Sequence, residues 1–292
     1  MDIKTMSEPQ AILVAGGGGY IGSHTAKVLR HNGFRPVVLD NLVTGNRFAL
    51  GRFGPFYHGS VEDTALVERI AREHRIIGSI LFAAHAYVGE SISAPRKYFK
   101  NNISGSLAFF DGLLQAGVTR VVFSSSCSIY GSQLGLEPIN EDIAKNPLSP
   151  YAESKLMGEQ ILRWLDKADG LRSACLRYFN AAGADPSGEL GEYHRPETHL
   201  IPLAIYAALG GSPLRVFGTD YPTPDGTAIR DYTHVTDLAQ AHVLALRYLI
   251  ADGPSIQCNL GSGTALGPAH NGPRFSCTRR RHSRATDQFQ RR

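Results

Sequence analysis

No window of the 292-residue chain approaches eighteen consecutive apolar residues, which excludes a membrane-spanning helix. The first ten residues, MDIKTMSEPQ, carry two acids and no apolar core, so no signal peptide is expected and the cytoplasm is the expected location. Cysteine is scarce. Cys127, Cys175, Cys258 and Cys277 stand far apart and form no CxxC pair, which argues against a disulfide framework and against a zinc site. Reduced thiols and no metal are the expectation. Charged residues are only 19% of the chain against 42% hydrophobic, a mixture that folds as a globule, and at about 150 residues per domain the length allows two domains or one large one.

An excess of one charge is also missing once the chain is divided. The net charge of +4 would suit a nucleic-acid partner, but seven of the 30 bases and one of the 26 acids lie in residues 264–292. That leaves 23 bases, 25 acids and a formal charge of −2 for residues 1–263, so no nucleic acid is expected as partner. The basic segment has apolar periodicity of neither helix nor strand. It reads as an aberrant tail, as a shifted reading frame after Gly263 would produce.

What is present is alternation. Residues 11–15, 36–40, 79–84, 120–126 and 173–180 are short continuous apolar runs, as strands covered on both faces require. Helical stripes lie between them: Ile21, Thr25, Val28 and Leu29, and later Leu66, Val67 and Ile70. A βαβαβ order predicts an α/β fold with a doubly wound parallel sheet of Rossmann type over residues 1–180. From 181 to 263 the pattern becomes richer in Gly and Pro. A helix near 200–209, a strand at 214–217, a helix after Asp237 and a strand at 256–260 suggest a smaller mixed α/β substrate domain.

Gly16-Gly17-Gly18-Gly19-Tyr20-Ile21-Gly22 follows the first strand directly and opens the first helix. Glycine permits the tight turn and a close approach of backbone to pyrophosphate, and the free N–H groups of a helix start attract negative charge. Asp40 ends the second strand, where a carboxylate accepts hydrogen bonds from both ribose hydroxyls and repels a 2′-phosphate, selecting NAD over NADP. Simple turn glycines and a helix-capping Asp40 are the plainer alternatives.

Tyr151 and Lys155 begin a helix after Pro147 and Pro150, and their i, i+4 spacing sets phenol and ammonium on one face. A lysine cation and an oxidised nicotinamide nearby would stabilise a phenolate that is a poor base on its own. Ser124, Ser125 and Ser126 end the fourth predicted strand at the sheet's carboxyl edge, where Ser126 could bond a sugar hydroxyl. The plainer reading of the pair alone is an exposed Tyr and Lys on an amphipathic helix.

Together GGGGYIGSH, VLDN, VGES, YFKNN, SSSCSIYG, SPYAESK, LRYFNAAG, GTDYPTPDGTAIRDYTH and NLGSG resemble the UDP-glucose 4-epimerases of the extended short-chain dehydrogenase/reductase superfamily, over residues 11–263. The resemblance implies Tyr151 as base, Lys155 on the nicotinamide ribose and lowering the Tyr151 pKa, and Ser126 orienting the sugar 4-hydroxyl. It implies NAD beside Gly16, Gly19, Tyr20, Ile21, Gly22, Asp40, Asn41, Ser60, Val61, Phe82, Ala83, Ala84, Asn101, Ser126, Tyr151, Lys155 and Phe179. UDP-glucose or UDP-galactose would lie beside Ser126, Tyr151, Asn180, His199, Leu200, Phe217, Arg230 and Tyr232. The implied activity is transient oxidation at C4 of the sugar and return of hydride to its other face, with NAD regenerated each cycle.

The resemblance also implies a homodimer through helices at 94–116 and 151–169. A UDP-pentose 4-epimerase differs only in lacking the sugar C6 group. Related dehydratases resemble one another in an acid after the strand-end hydroxyl, where this chain has Cys127-Ser128. Three departures favour the other reading, an NAD-binding protein without turnover. Ser60 stands where the family has Asp, Ala15 replaces Thr, and the family's final segment, with its diphosphate-binding arginine, is not matched. That leaves the substrate domain, 181–263, incomplete.

Overall fold

The computed structural model describes residues 8–132, 138–216, 218–221, 223 and 226–262. The basic segment 264–292, Phe217 and Cys277 lie outside the described residues. Among the described residues there are nine strands: β1 (Ala11–Ala15), β2 (Arg35–Asp40), β3 (Phe56–His58), β4 (Ile76–Leu81), β5 (Arg120–Ser124), β6 (Arg172–Tyr178), β7 (Asn180–Ala182), β8 (Tyr232–His234) and β9 (Ile256–Leu260). Eight helices accompany them: α1 (Tyr20–His31), α2 (Thr64–Glu73), α3 (Val88–Ser93), α4 (Pro95–Phe99), α5 (Ser106–Gln115), α6 (Pro150–Asp169), α7 (Leu200–Ala208) and α8 (Val235–Ile250).

Seven strands form one parallel sheet in the order β3-β2-β1-β4-β5-β6-β9, while β7 and β8 pair separately. The doubly wound α/β class expected from the alternation is the class observed. Both faces are covered, which explains the unbroken apolar runs: in β1, Leu13 points into one core with Phe109 and Leu113, and Ile12 and Val14 point into the other with Leu246 and Leu249. The strand order reverses between β1 and β4. Such a switch point opens a crevice at the carboxyl ends of the strands.

Local chemistry fixes the helix that matters most. Ser149 caps α6 by accepting from the Ala152 N–H at 3.2 Å, Pro150 occupies its first turn, and Gly170 ends it in the left-handed region at φ 69°. Between α4 and α5 the chain stays helical through a π turn at Lys100–Gly105. That turn presents Asn102, whose Oδ1 accepts from the His85 N–H and whose Nδ2 donates to the His85 carbonyl and to Ser154 of α6. The loop after β4 is thereby tied to α6.

Two strand expectations are corrected, and one short strand was not foreseen. The strand expected at 79–84 runs from Ile76 to Leu81, and Phe82–Ala84 form the loop beyond it. The edge strand β3 is only three residues long, too short to carry a period. No strand forms at 214–216, where Leu214 and Val216 are exposed. The strand expected at 256–260 forms: β9 pairs with β6, Ala174 opposite Ile256 through Tyr178 opposite Leu260, and α8 packs on α1. Residues 235–260 therefore extend the main sheet and its helical cover.

Candidate active site

A cleft of about 650 Å³ opens along the carboxyl edge of the sheet, a volume suited to a cofactor or small ligand. Gly16 to Gly22 form its floor. Gly16 adopts φ +82°, and a Cβ there would lie 2.5 Å from the Ala83 nitrogen; a Cβ on Gly22 would lie 2.2 Å from the Gly16 carbonyl oxygen. These positions are closed to any side chain, so the backbone of the loop is bare toward the cleft. Helix α1 has Gly19 as its N-cap residue, no capping side chain and no acid in its first turn. Its positive end therefore faces the cleft with no acid in its own first turn.

Asp40 is buried at the end of β2. Its Oδ2 accepts from the Gly18 N–H at 2.8 Å and its Oδ1 from the Leu42 N–H at 2.8 Å, so it braces the glycine loop and caps no helix. A carboxylate has about four acceptor positions, which leaves room for two hydroxyl donors. A bare glycine loop, an uncapped helix start, a strand-end carboxylate and a switch point together fit the pyrophosphate and adenosine ribose of NAD.

Across the switch point stand the serine, tyrosine and lysine. Ser126 accepts from the Ser128 N–H at 3.2 Å and from the Ser128 hydroxyl at 2.9 Å, which frees its own proton for donation. Ser126 is the group beside Tyr151 that favours its phenolate. Burial pushes the Tyr151 phenol up to about 12, and the Ser126 hydrogen bond only partly opposes this. Lys155 is 4% exposed, donates to the Ser124 carbonyl at 2.7 Å, and holds its ammonium 5.9 Å from the Tyr151 ring centre. Burial brings that ammonium down to about 8.

Gly16, Gly19, Tyr20, Ile21, Gly22, Asp40, Asn41, Val61, Phe82, Ala83, Ala84, Asn101 and Phe179 all line this one cleft with Ser126, Tyr151 and Lys155. So do Asn180, His199, Leu200, Arg230 and Tyr232. Ser60 does not: its hydroxyl accepts from the Glu62 N–H at 3.2 Å, in a turn beside Gly59 and Val61, which do line it. Phe217 lies outside the described residues. His199 heads α7 without capping it through its side chain, and Arg230 donates to the Ile229 carbonyl at 2.8 Å.

Residues not singled out from the sequence also face the cleft, chiefly Tyr178, within the LRYFNAAG run, and Glu192 and His194. The Tyr178 hydroxyl is hydrogen-bonded to the Ser124 hydroxyl. Glu192 Oε1 is hydrogen-bonded to His199 Nδ1 and lies 3.4 Å from His194 Nδ1. Burial opposes ionisation of Glu192, yet the two histidines bring its carboxyl down to about 2, and in return the bond to Glu192 raises His199. The acids and histidines at alternate positions of 192–199 were the available signal, but in a loop they have no period to reveal a common face.

Fold and cleft define a dinucleotide-binding oxidoreductase-type protein with a tyrosine–lysine pair. The model of the NAD dependent epimerase/dehydratase family matches residues 12–261, and the chain belongs to that family. A UDP-glucose 4-epimerase of Rhizobium leguminosarum bv. trifolii is 46% identical over 256 residues, 87% of this chain and 78% of the relative. The UDP-glucose 4-epimerase of Brucella ovis, solved in complex with NAD, superposes with a TM-score of 0.85 at 50% identity, covering 88% of this chain and 79% of that one. The Bifidobacterium longum UDP-glucose 4-epimerase, solved with NAD+ and UDP, gives 0.83 at 37% identity over the same 88% and 79%.

Proposed function

We propose that the protein interconverts UDP-glucose and UDP-galactose by transient oxidation at C4 of the sugar, with NAD as a tightly held cofactor. The observation that carries the proposal is the meeting, in one cleft, of a glycine loop open to a pyrophosphate and a buried Tyr151–Lys155 pair facing Ser126. The likeness to UDP-glucose 4-epimerases at 46% identity supports the choice of sugar nucleotide.

Ser126 orients the 4-hydroxyl and Tyr151 removes its proton. Lys155 holds the nicotinamide ribose and favours the phenolate. NAD, when bound, accepts hydride from C4, returns it, and adds a positive ring beside the phenol. Arg230 lines the cleft and supplies a cation for the diphosphate, since a guanidinium fork matches phosphate geometry. Anchoring at the diphosphate leaves the hexose free to turn over and present its other face.

Elimination is disfavoured by what lines the cleft. Its carboxylates among the described residues are Asp40, engaged with the glycine loop, and Glu192, paired with His199, so no acid stands beside Ser126 to expel water.

The reading further places the protein in the cytoplasm as a homodimer with a substrate-binding portion in 181–263. The free thiols of Cys127, Cys175 and Cys258 suit a reducing compartment, and no helix of the described residues is long and apolar enough to cross a membrane. Exposed Leu107 and Trp164, on α5 and α6, offer a second copy an apolar face.

The test is direct. Purified protein incubated with UDP-galactose and no added reductant should form UDP-glucose. Protein that carries NAD and forms none would overturn the proposal in favour of a binding protein without turnover.

A further inference from the structure

Helix α6 carries Tyr151, Lys155 and Glu159 at intervals of four, which places all three along one face. The first two reach the cleft. Glu159 lies a turn deeper and is 7% exposed. Its Oε1 accepts from Arg177 Nε at 2.9 Å and from the Ser125 hydroxyl at 2.5 Å, and its Oε2 accepts from Arg177 Nη2 at 2.6 Å. Arg177, on β6 and equally buried, donates through Nη1 to the Tyr130 hydroxyl at 2.8 Å, which donates to Asn259 Oδ1 on β9 at 2.7 Å. One carboxylate therefore ties α6 to the turn after β5, to β6 and, through Tyr130, to β9.

The point of attachment matters. Ser125 stands between Ser124, whose carbonyl receives the Lys155 ammonium, and Ser126, whose hydroxyl serves Tyr151. The network thus grips the very peptide that bears the partners of both catalytic side chains. Holding α6 against the sheet does not require charge, because a buried ion pair gains little over well-packed apolar side chains. What a bidentate pair adds is direction, since two parallel N–H···O bonds fix both distance and angle.

We propose that Glu159 and Arg177 are positioning residues of the reaction: their ion pair, together with Ser125, sets the register of α6 against β5 so that Tyr151 and Lys155 meet Ser126 at the strand end. The chemical part rests on the epimerase reading; the geometric part does not.

Two variants test it, Glu159→Gln, which keeps the shape and loses the charge, and the double replacement Glu159→Met with Arg177→Met, which fills the space with apolar atoms. A displacement of about 1 Å costs on the order of 100-fold in rate, so Glu159→Gln should lower kcat for UDP-galactose by about 10- to 100-fold while KM stays within about twofold. The double variant should melt at or above the parent temperature and still show the lowered kcat. Crystal structures of both should show Lys155 Nζ beyond hydrogen-bond reach of the Ser124 carbonyl.

A double variant that regains parental kcat together with parental stability would overturn the proposal. So would a Glu159→Gln structure with the lysine contact intact and kcat unchanged. Should Glu159→Gln fail to fold, the double variant alone decides. If the parent protein does not convert UDP-galactose, the functional reading falls, and the crystal structures still decide whether the pair sets the register.

Discussion

Replacing Tyr151 by phenylalanine lowers conversion of UDP-galactose by roughly 10²- to 10⁴-fold, the range expected for loss of a general base, and leaves the NAD content of the purified protein unchanged. The size follows from the electrostatics. In the protein alone, burial puts the phenol at about 12. Bringing such an acid to neutrality requires about 7 kcal/mol of stabilisation selective for the phenolate. The Lys155 ammonium, 5.9 Å from the ring centre, supplies part of this. The Ser126 hydrogen bond is already included in the value of about 12. The remainder is what a positive nicotinamide ring supplies when bound, which makes the phenol a base only in the loaded enzyme. Turnover and the absorbance of released cofactor are the two measurements. Near-parental turnover in Tyr151→Phe would remove the phenol from the mechanism.

Replacing Gly22 by alanine weakens NAD binding by about 10- to 100-fold, because overpacking of this kind costs about 1–3 kcal/mol and each 1.4 kcal/mol is tenfold in affinity. The new Cβ would lie 2.2 Å from the Gly16 carbonyl oxygen and 2.9 Å from the Gly17 Cα, and both obstacles are backbone. Relief must come from the phosphate loop itself. Gly89→Ala is the control, since nothing lies within 4 Å of a Cβ there. Titration of NAD by calorimetry should separate the two variants at similar melting temperatures. Equal affinities would mean that the loop does not approach the cofactor as closely as its glycines allow.

The parts of this site legible in the sequence are those whose chemistry is local. The glycine run, Asp40 at a strand end, and Tyr151 and Lys155 one helical turn apart each carry their signal within a few residues. The sheet was legible because its strands are buried on both faces and read as unbroken apolar runs. What was not legible depends on distant pairing. The place of β9 is set by contacts between residues about 80 positions apart, Ala174 with Ile256 among them, and the apolar run 256–260 looks the same in either unit. Glu159 and Arg177 look like ordinary surface charges, and only the closing of α6 over β6 buries them together. Glu192 and His194 sit in a loop without period. Leu214 and Val216 alternate around Arg215 as a strand would, but both stay exposed and no strand forms there.

The most direct measurement follows the hydrogen at C4. UDP-galactose carrying deuterium at C4, converted in ordinary water, should give UDP-glucose that retains the label at C4, because the atom removed as hydride is the atom put back. Loss of the label to solvent would mean that inversion proceeds by removal of a carbon-bound proton, and Tyr151, Lys155 and the glycine loop would not then be parts of an internal oxidation and reduction.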